Sequence, residues 1–364
     1  MLNHKYWRWQ WAAVTAAMGL AHGAQASVLV TVPPVQDTYV RSGYERKNFG
    51  ADAQLELRTG PIAGTSEAYL LFPLPQHAAY AEKIVLRLHG ELADPGASKV
   101  LVRSLTNTNW KELELNWRTR PEHKQTLGTF NIVGLSGTWY ELDVTAHVLA
   151  EVAAGRQAVA FALVPADERT KVTFHSRDSA VKKPELAFTR SLISAQISFC
   201  PTNATPPEGY IADNGDSFGP RTSGFIFGWN TNNRDFVRDR TEGRYKKDKP
   251  VKTADRRYDF LAYMDNEKMK SPAFWEMAVP NGTYRVHIVA GDSTKYDSIY
   301  GITAEGVIAI EGVPDTHKRW FDSTVTVNVV DGRLTIGNAP TSTNNKITFI
   351  EIHEVENLLT QTAK

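Results

Sequence analysis

The chain has 364 residues, of which 42% are hydrophobic and 22% charged, an ordinary globular composition that allows two domains at about 150 residues each. Its formal net charge of +1 gives no support to nucleic-acid binding by bulk charge. The single cysteine, Cys200, excludes an intrachain disulfide, and its place in an alternating run predicts a core residue rather than a nucleophile.

Residues 1–26 predict a secretory signal peptide. Lys5 and Arg8 form a basic start, an apolar run follows, and Ala24-Gln25-Ala26 is a small-residue cleavage site. We therefore expect a secreted or periplasmic protein. Without Lys5 and Arg8, the net charge of +1 becomes −1. No later run is long and apolar enough to predict a membrane span.

Short alternating runs separated by turns fill residues 27–190. A single short helix is expected around Thr145–Gly155, with Gly155 ending it. Many short strands with frequent turn signals predict a β-sandwich, most simply a jelly roll.

This first half carries an ordered series of motifs that resembles a known family. The motifs are Asp37-Thr38-Tyr39-Val40, Asn48-Phe49-Gly50, Trp110 with Glu112, Asn116-Trp117 with Pro121, Trp139, and Phe174-His175-Ser176-Arg177. Together they resemble a DNRLRE-type domain, the group that includes the alginate-binding carbohydrate-binding module family 96. The resemblance implies a β-sandwich that binds polysaccharide, usually acidic. Asn116 and Asp178 stand where Thr and Glu are more usual.

Residues 191–207 predict a junction, because Pro and small polar residues cluster there. The run SLISAQISF can end the first domain or begin the second, and the second assignment is favoured. The second domain is expected at 208–356 and a tail at 357–364. The whole chain is thus predicted to be all-β, with two jelly-roll β-sandwich domains in tandem after a signal peptide.

The segment from Trp275 to Asp292 is expected to form the centre of the second domain. Two alternating runs are joined by Pro280-Asn281-Gly282, and an Asn-Gly pair in this setting predicts a β-hairpin. Asp331-Gly332 predicts another hairpin in the same way. The residues predicted to share buried faces are Trp275, Met277 and Val279 before the first turn, and Tyr284, Val286, Ile288 and Ala290 after it.

The second half resembles a malectin-like or related galactose-binding-type jelly roll. The residues that carry the resemblance are Asp213-Asn214-Gly215-Asp216, Phe227-Gly228-Trp229, Trp275, Asn281 to Val286, Gly291-Asp292, and the closing segment from Val327 to Ile352. The resemblance implies sugar recognition by end loops or by one sheet face, and it assigns no ligand residues.

The stretch from Asn232 to Arg257 holds ten basic and five acidic residues. An arginine fork matches a carboxylate in bidentate fashion, so Arg234, Arg238 and Arg240 are predicted contacts for an acidic glycan. The alternative is a solvated loop whose arginines pair with its own aspartates, Asp235, Asp239 and Asp255.

Aromatic rings are the other candidates for sugar contact. Trp139 and Trp275 lie in alternating strands and are expected in the cores. The candidates for a sugar platform, with rim packing as the open alternative, are Trp110, Trp117, Trp229, Trp320 and Tyr296, the last with Tyr300 in the same loop.

Basic residues of the first half could line a groove for an acidic chain, or be ordinary outward-facing charges. The leading candidates are Arg58, Arg87, Arg118 and Arg177, followed by Arg41, Lys47, Arg103, Arg120 and His175. No cofactor is expected, although Asp213 and Asp216 could hold a structural calcium ion; a plain Asx turn is the alternative there.

Catalytic sequence patterns such as G-x-S-x-G, H-E-x-x-H and the P-loop are missing. His175 with Arg177, or Tyr258 with Arg256, could serve a polyuronate lyase, but such pairs arise readily by chance. We therefore expect a secreted, non-catalytic protein that binds an acidic polysaccharide such as alginate. A polysaccharide lyase or hydrolase is the first alternative, and a structural or adhesive matrix protein is the second.

Overall fold

The computed structural model describes residues 27–60, 64–241 and 254–356. The predicted signal peptide and the predicted tail lie outside these residues. The chain divides into two compact units, Met1–Ser191 (unit 1) and Leu192–Lys364 (unit 2). The described residues are almost entirely strands and turns with one α-helix, so the predicted all-β fold class is confirmed.

Unit 1 contains two antiparallel sheets. Its elements in chain order are β1 (Ser27–Val32), β2 (Gln36–Arg41), β3 (Gln54–Arg58), β4 (Ser66–Pro73), β5 (Lys83–Leu92), β6 (Ala97–Leu105), β7 (His123–Val133), β8 (Thr138–Asp143), α1 (Thr145–Ala153), β9 (Ala158–Pro165), β10 (Lys171–His175) and β11 (Glu185–Ser191). One sheet has the order β1-β11-β5-β10-β3, with β8 also paired to β5, and the other has the order β2-β4-β9-β6-β7.

The main core of unit 1 takes alternate residues from both sheets. Leu86 and Leu88 of β5 and Phe161 of β9 belong to this core, whereas Arg87 lies on the opposite face of β5. Period-2 alternation of side chains therefore decides which residues of each strand reach the outer surface.

A second apolar cluster of unit 1 lies on the other face of the β2-β4-β9-β6-β7 sheet. Tyr69 and Ala160 alternate with core residues and form part of it. Trp110 and Leu115, from the segment between β6 and β7, cover these residues. The buried apolar contacts of Trp110 and Leu115 therefore hold the segment between β6 and β7 against this sheet.

Helix α1 forms where the sequence predicted a helix. Asp143 accepts hydrogen bonds from the backbone N–H and hydroxyl of Thr145 at 2.9 and 2.6 Å. Val148 is buried on the inner side. Gly155 follows the helix with φ of 74°, a left-handed conformation that favours glycine, so the predicted helix stop is confirmed.

Unit 2 contains three sheets. Its strands are β12 (Ser194–Ser198), β13 (Ile211–Ala212), β14 (Gly219–Pro220), β15 (Ile226–Trp229), β16 (Val237–Asp239), β17 (Phe260–Tyr263), β18 (Trp275–Ala278), β19 (Gly282–Gly291), β20 (Tyr300–Ala304), β21 (Val307–Gly312), β22 (Trp320–Val329), β23 (Arg333–Asn338), β24 (Lys346–Ile347) and β25 (Phe349–Val355). The sheet orders are β13-β12-β25-β19-β22, β14-β15-β18-β23-β20-β21 and β16-β17-β24. All the strand pairs are antiparallel except β12 with β13.

The two strands around Asn281 exist as predicted, but they do not form a hairpin. β18 pairs with β15 and β23, whereas β19 pairs with β22 and β25 in another sheet. The Asp331-Gly332 turn likewise joins β22 to β23 across the two sheets. The predicted hairpins are therefore wrong, because each turn connects two sheets instead of two neighbouring strands.

The predicted buried faces of these two strands are confirmed. Trp275, Met277 and Val279 are fully buried, and so are the alternate residues of β19 from Tyr284 to Ala290. The strand β12, from the run SLISAQISF, pairs with β25 of unit 2. Cys200 is fully buried, so its prediction as a core residue is confirmed.

A search of the described residues finds no helix with the length and apolar character that crossing a membrane requires.

Candidate functional site

Arg87 lies between two carboxylates on the outer face of unit 1. Its Nε donates to Glu141 at 2.8 Å, and its Nη1 donates to Glu185. Its guanidinium also lies 4.8 Å from the centroid of the Trp139 ring. A uronate would have to displace these partners, so the structure does not favour Arg87 as a primary ligand contact.

The other leading arginines of unit 1 also have acidic partners. Each N–O separation is that of a direct ion pair, which contributes about 0–1 kcal/mol at an exposed surface. The pairs are Arg58 with Glu56 at 2.9 Å, Arg118 with Glu45 at 2.6 Å and Arg177 with Glu112 at 2.6 Å, and Arg120 also lies 3.3 Å from Glu67. These contacts correspond to the alternative of ordinary paired charges.

Two of the predicted tryptophan platforms of unit 1 are covered. Trp110 is buried with an edge contact to Tyr69 at 6.4 Å between ring centroids. Trp117 is half-buried, and the Arg120 guanidinium lies 3.7 Å from its ring centroid. Trp110 therefore fits the rim-packing alternative, and only part of Trp117 faces solvent.

Trp139 was expected in the core, and this prediction is wrong. Tyr140 and Leu142 of the same strand pack against the core, so Trp139 lies on the opposite face and is half-buried. Its ring contacts His89 edge-on at 5.5 Å between centroids. Alternation alone cannot say which of the two faces of a strand is the inner one, and here Trp occupies the outer face.

An exposed aromatic surface forms between β2 and β3 of unit 1. Tyr44 is 51% exposed, the guanidinium of Arg41 lies 5.3 Å from its ring centroid, and Lys47 Nζ lies 5.8 Å from it. Lys47 also lies 4.6 Å from the ring of Phe49, which is buried and stacks on Tyr39. We call Arg41, Tyr44 and Lys47 the Tyr44 surface.

Lys47 differs from the paired arginines of unit 1. Within residues 27–60, 64–241 and 254–356 it has aromatic contacts but no carboxylate partner. Sequence reasoning named Arg41 and Lys47 and missed Tyr44, because the residue lies outside any alternating run. The sequence did contain one signal for this surface, since Arg41 and Lys47 each lie three residues from Tyr44.

The basic stretch of unit 2 is only partly described, since Arg244, Lys246, Lys247, Lys249 and Lys252 lie outside the described residues. Of its leading candidates, Arg234 pairs with Asp216. Arg238 donates to the backbone carbonyls of Asp235 and Val237 at 2.6 and 2.8 Å, and its guanidinium lies 5.7 Å from the ring centroid of Tyr263.

Arg240 is a largely buried residue whose guanidinium already has a carboxylate partner. Its Nε and Nη2 donate to the two oxygens of buried Asp292 at 3.1 and 2.9 Å, and Nη2 also donates to the Tyr263 hydroxyl at 3.3 Å. The buried Lys346 Nζ lies 3.7 Å from Asp292. The prediction of Arg240 as a ligand contact is therefore wrong, because its fork already binds a carboxylate inside the protein.

Trp229 is fully buried, so its prediction as a sugar platform is wrong. Its Nε1 donates to Asp213 Oδ1 at 2.9 Å, and Nε1 of Trp275 donates to Asp213 Oδ2 at 2.7 Å. The backbone N–H of Gly215 also donates to Oδ1, at 2.8 Å. No face of the Trp229 ring is open to a ligand.

The same hydrogen bonds contradict the predicted calcium site at Asp213 and Asp216. Asp213 is buried, its Oδ1 accepts two N–H donors and its Oδ2 accepts one, so this carboxylate is committed to hydrogen bonds inside the core and has no open side for a cation. Asp216 pairs with Arg234. Burial raises the pKa of Asp213 above its ordinary value, in keeping with a carboxyl that serves internal hydrogen bonding.

Tyr296 and Trp320 lie beside an arginine that sequence reasoning missed. Tyr296 is 51% exposed, and the guanidinium of Arg319 lies 4.5 Å from its ring centroid. Nε and Nη1 of Arg319 and Nε1 of Trp320 are buried donors without a hydrogen-bond partner among the residues that the structure describes. We call Tyr296, Arg319 and Trp320 the Tyr296 cluster.

Trp320 is held in place by its neighbours. Its ring lies against Gly291, where an added Cβ would come within 1.9 Å of Trp320 Cδ1, and it contacts Tyr258 edge-on at 5.4 Å. Only a glycine leaves room for this ring. The Tyr296 cluster therefore combines an exposed ring, a fixed half-buried ring and unpartnered donors.

The residues of the two pairs that could serve a lyase, His175 with Arg177 and Tyr258 with Arg256, already make contacts with other residues of the protein. His175 Nδ1 lies 2.8 Å from Ser179 Oγ, and Arg177 pairs with Glu112. Tyr258 packs edge-on against Trp320 and Phe349, and Arg256 lies 3.7 Å from Asp259. Neither pair forms a base beside an unpaired cation.

Unit 2 also has a shallow groove of about 530 Å³ that is open to solvent. Phe274 presents a partly exposed ring there, and Asp265 and Asn338 line it. Asn338 Nδ2 donates to the carbonyl of Ala273 at 2.9 Å, so one of its polar groups is already satisfied.

Three carboxylates of unit 1, Asp37, Glu112 and Asp178, approach one another closely. One oxygen of each lies within 4.8 Å of one oxygen of the other two. Within the described part of the chain, this is the group of acidic side chains whose spacing fits a metal ion.

The sequence of unit 1 is similar to that of a known protein family. Residues 28–190 match the sequence model of carbohydrate-binding module family 96. The match spans nearly all of unit 1 and supports a carbohydrate-binding module there. It agrees with the family resemblance carried by the motifs from Asp37 to Arg177.

A curated relative is a gellan lyase from a Bacillus species. It is 24% identical over 176 residues, which cover 46% of this chain and 7% of the lyase. The chain therefore spans only a small part of that relative's length. The resemblance of unit 2 to malectin-like modules stays a prediction.

Two solved structures that match parts of the chain are only distantly similar to it. A Bacteroides uniformis β-glucuronidase 2 has a TM-score of 0.31 at 11% identity, covering 71% of this chain and 26% of that chain. A carbohydrate-binding module of the Cellvibrio mixtus lichenase 5A, in complex with cellotriose, has a TM-score of 0.19 at 5% identity, covering 42% and 95%. TM-scores of this size do not assign a shared fold, so the all-β class rests on the strands of this chain itself.

Proposed function

We propose that this chain is a non-catalytic polysaccharide-binding protein and that unit 1 contacts an acidic polysaccharide through the Tyr44 surface. The observation that carries the proposal is an exposed tyrosine flanked by Arg41 at 5.3 Å and Lys47 at 5.8 Å, within the unit that matches a carbohydrate-binding module family. We also propose secretion or a periplasmic location, based on the signal-peptide pattern of residues 1–26.

The residue types suit an acidic sugar chain. The apolar face of a pyranose ring stacks on an aromatic ring, and Lys or Arg pairs with a carboxylate or sulfate on the same or the next sugar. The Tyr44 surface offers both groups together. Arg87 and Arg177, unlike Lys47, already bind carboxylates of unit 1 and would have to exchange one partner for another.

The Tyr296 cluster is proposed as a second, independent contact in unit 2. Tyr296 offers an exposed ring, and the guanidinium of Arg319 lies 4.5 Å from the centroid of that ring. A contact in each unit would raise the avidity for a long polymer, provided that both can bind at once.

The experiment is affinity electrophoresis of the full-length mature chain through gels that contain alginate, pectate, a sulfated glycan or a neutral glucan. Tyr44→Ala and Lys47→Gln test the Tyr44 surface, and Tyr296→Ala tests unit 2. Lys124→Gln is the matched control, since Lys124 is an exposed lysine of unit 1 paired with Glu122. Each gel is run at low and at high salt.

We expect an acidic glycan to retard the chain, and salt to weaken the retardation because it screens exposed charges. Tyr44→Ala and Lys47→Gln should each lower the affinity by about tenfold, in line with loss of one stacking or charged contact of about 1–2 kcal/mol. Retardation by neutral glucan alone, or equal effects of Lys47→Gln and Lys124→Gln, would refute the proposed acidic contact.

The two alternative functions predict different results in the same preparation. A lyase would release products with new absorbance from unsaturated ends when incubated with the acidic polymer. A matrix protein would retain a protein partner and none of the glycans.

A further inference from the structure

Three separate segments of unit 1 meet at one group of carboxylates. Asp37 lies in β2, Glu112 in the segment between β6 and β7, and Asp178 in the turn after β10. One oxygen from each residue lies within 4.8 Å of one oxygen from each of the others. Asp37 is buried, Glu112 is partly buried and Asp178 is exposed, so the group opens to solvent on the Asp178 side.

Asp37 provides a second, independent observation that points to a ligand at this group of carboxylates. Its side chain is only 1% exposed, and its Oδ1 has no hydrogen-bond partner among the residues that the structure describes. The other oxygen, Oδ2, accepts the backbone N–H of Arg177 at 2.7 Å. A buried anionic oxygen without a partner is costly, and native proteins rarely leave one unsatisfied.

The local charge is not balanced by protein groups. Arg177 Nη1 donates to Glu112 Oε2 at 2.6 Å, which sets one positive charge against three carboxylates. The three carboxylates therefore repel one another when all are ionised.

We propose that Asp37, Glu112 and Asp178 bind a divalent cation of the calcium kind. All three ligands are carboxylate oxygens, which hard cations prefer. Two oxygens on one Ca²⁺ ion can lie up to about 5 Å apart, since each Ca–O distance is about 2.3–2.6 Å. Two oxygens on one Mg²⁺ ion are limited to about 4.2 Å and need a stricter octahedron.

The surrounding contacts hold the ligands in place before the cation arrives. Glu112 Oε1 accepts the backbone N–H of Asp37 at 3.1 Å, and the backbone N–H of Glu112 donates to Gln36 Oε1 at 2.8 Å. Asn48 Nδ2 donates to the carbonyl of Glu112 at 2.6 Å. The site is thus largely formed by the fold, and exposed Asp178 closes it.

Cation binding would join β2, the segment between β6 and β7, and the turn after β10, which are far apart in sequence. The middle segment also carries Trp110 and Trp117. The inference stands apart from the proposed glycan binding, since it rests on the carboxylate geometry alone.

The test is isothermal titration of the full-length chain with CaCl₂ and with MgCl₂ after EDTA treatment and dialysis. Asp178→Asn removes a ligand at the exposed side, where folding depends on it least. Glu114→Gln is the matched control, because Glu114 is an exposed carboxylate two residues from Glu112, paired only with Lys111 in the described chain.

We expect one Ca²⁺ per chain and weaker binding of Mg²⁺. Asp178→Asn should weaken Ca²⁺ binding by at least about tenfold, because affinity at such sites depends on the number of charged ligands. Glu114→Gln should bind as the unchanged protein does. No saturable Ca²⁺ binding, unchanged binding by Asp178→Asn, or equal affinity for Mg²⁺ would overturn the proposal.

Thermal unfolding gives a second readout that a purely structural role of Asp178 would not produce. Without cation, Asp178→Asn should be at least as stable as the unchanged protein, because it removes a like charge beside Asp37. With Ca²⁺, the melting temperature should rise by several degrees in the unchanged protein and in Glu114→Gln, but not in Asp178→Asn. A Ca²⁺-dependent rise of the same size in Asp178→Asn would place the cation elsewhere and refute the site.

Discussion

Individual basic residues in this protein differ in whether they already form an ion pair with a carboxylate of the protein. Arg240 binds buried Asp292 through two nitrogens, and Arg87 lies between Glu141 and Glu185. Lys47 instead lies over the rings of Tyr44 and Phe49. A charge that lies over a ring keeps its capacity for an external carboxylate, so exposed residues of this kind are better ligand candidates than residues with an ion-pair partner.

At the same scale, Asp213 is predicted to be essential for the folding of unit 2 with or without calcium. Asp213→Ala would leave the indole N–H groups of Trp229 and Trp275 and the N–H of Gly215 buried without an acceptor, which should cost about 3 kcal/mol or more. Urea unfolding monitored by tryptophan fluorescence measures this loss. The control, Asp216→Ala, removes only an exposed pair with Arg234 and should cost less than about 1 kcal/mol. A mild effect of Asp213→Ala that appears only with Ca²⁺ would contradict the hydrogen-bonding role.

Cys200 is predicted to be unreactive in the folded protein. Burial raises the pKa of its thiol to about 11, and the nearby charge of Asp213 acts in the same direction. At pH 8 the native protein should react with a thiol reagent at least about 100-fold more slowly than the unfolded chain, because the thiolate is both scarce and covered. Reaction with an aromatic disulfide in buffer and in guanidinium measures this ratio, and rapid labelling of the native state would count against a core position.

The elements of unit 2 are arranged so that two turns connect different sheets. Asn281 lies between β18 and β19, and its side chain reaches the turn between β22 and β23. Its Oδ1 accepts the N–H of Gly332, and its Nδ2 donates to the carbonyl of Val330, both at 2.8 Å. Asn-Gly here serves to tie the two turns together and not to fold one strand back on its neighbour.

This role predicts that Asn281→Ala destabilises unit 2 by about 1–2 kcal/mol, because two hydrogen bonds between turns are lost. Urea unfolding gives the change in the free energy of unfolding. Asn328→Ala is the comparison, since Asn328 makes one exposed contact with Thr283 on a strand face, and it should change stability by less than about 0.5 kcal/mol. Equal effects of the two changes would argue against the link between the turns.

At the scale of the whole molecule, each of the two units has its own hydrophobic core. In unit 1, burial lowers the pKa values of His89 and His147 below their ordinary value. A histidine with a lowered pKa takes up a proton more readily when the chain is unfolded. Its contribution to stability is therefore present above pH 6.5 and is lost as the pH falls below that value.

His147→Phe should accordingly flatten the dependence of unit 1 stability on pH between about 7 and 5, because a buried site that resists protonation is removed. Nε2 of His147 is buried with no hydrogen-bond partner in the described part of the chain, its ring contacts Phe161, and Glu151 opposes the shift only partly. Thermal unfolding at several pH values measures the slope. His317→Gln, at an exposed position, is the control, and an unchanged slope in His147→Phe would refute the role of burial.

Much of the fold could be predicted because period-2 alternation is a local property of each strand. The buried residues of β18 and β19, the helix α1 with its stop at Gly155, and the core position of Cys200 all follow from nearest neighbours in the sequence. The family motifs of unit 1 are likewise visible without coordinates. The sequence by itself therefore determined the all-β class, the buried faces of β18 and β19, and the match to a carbohydrate-binding module.

Only the tertiary structure shows which strands pair and which basic side chains already form ion pairs within the protein. Glu185 is 98 residues from Arg87, and Asp292 is 52 residues from Arg240, so neither contact leaves a local pattern. The burial of Trp229 depends in the same way on Asp213 and on the strand β18 beside it. Arg319 with Tyr296 and the three carboxylates around Asp37 come together only when segments distant in sequence meet, because such sites are built from side chains that the fold brings together.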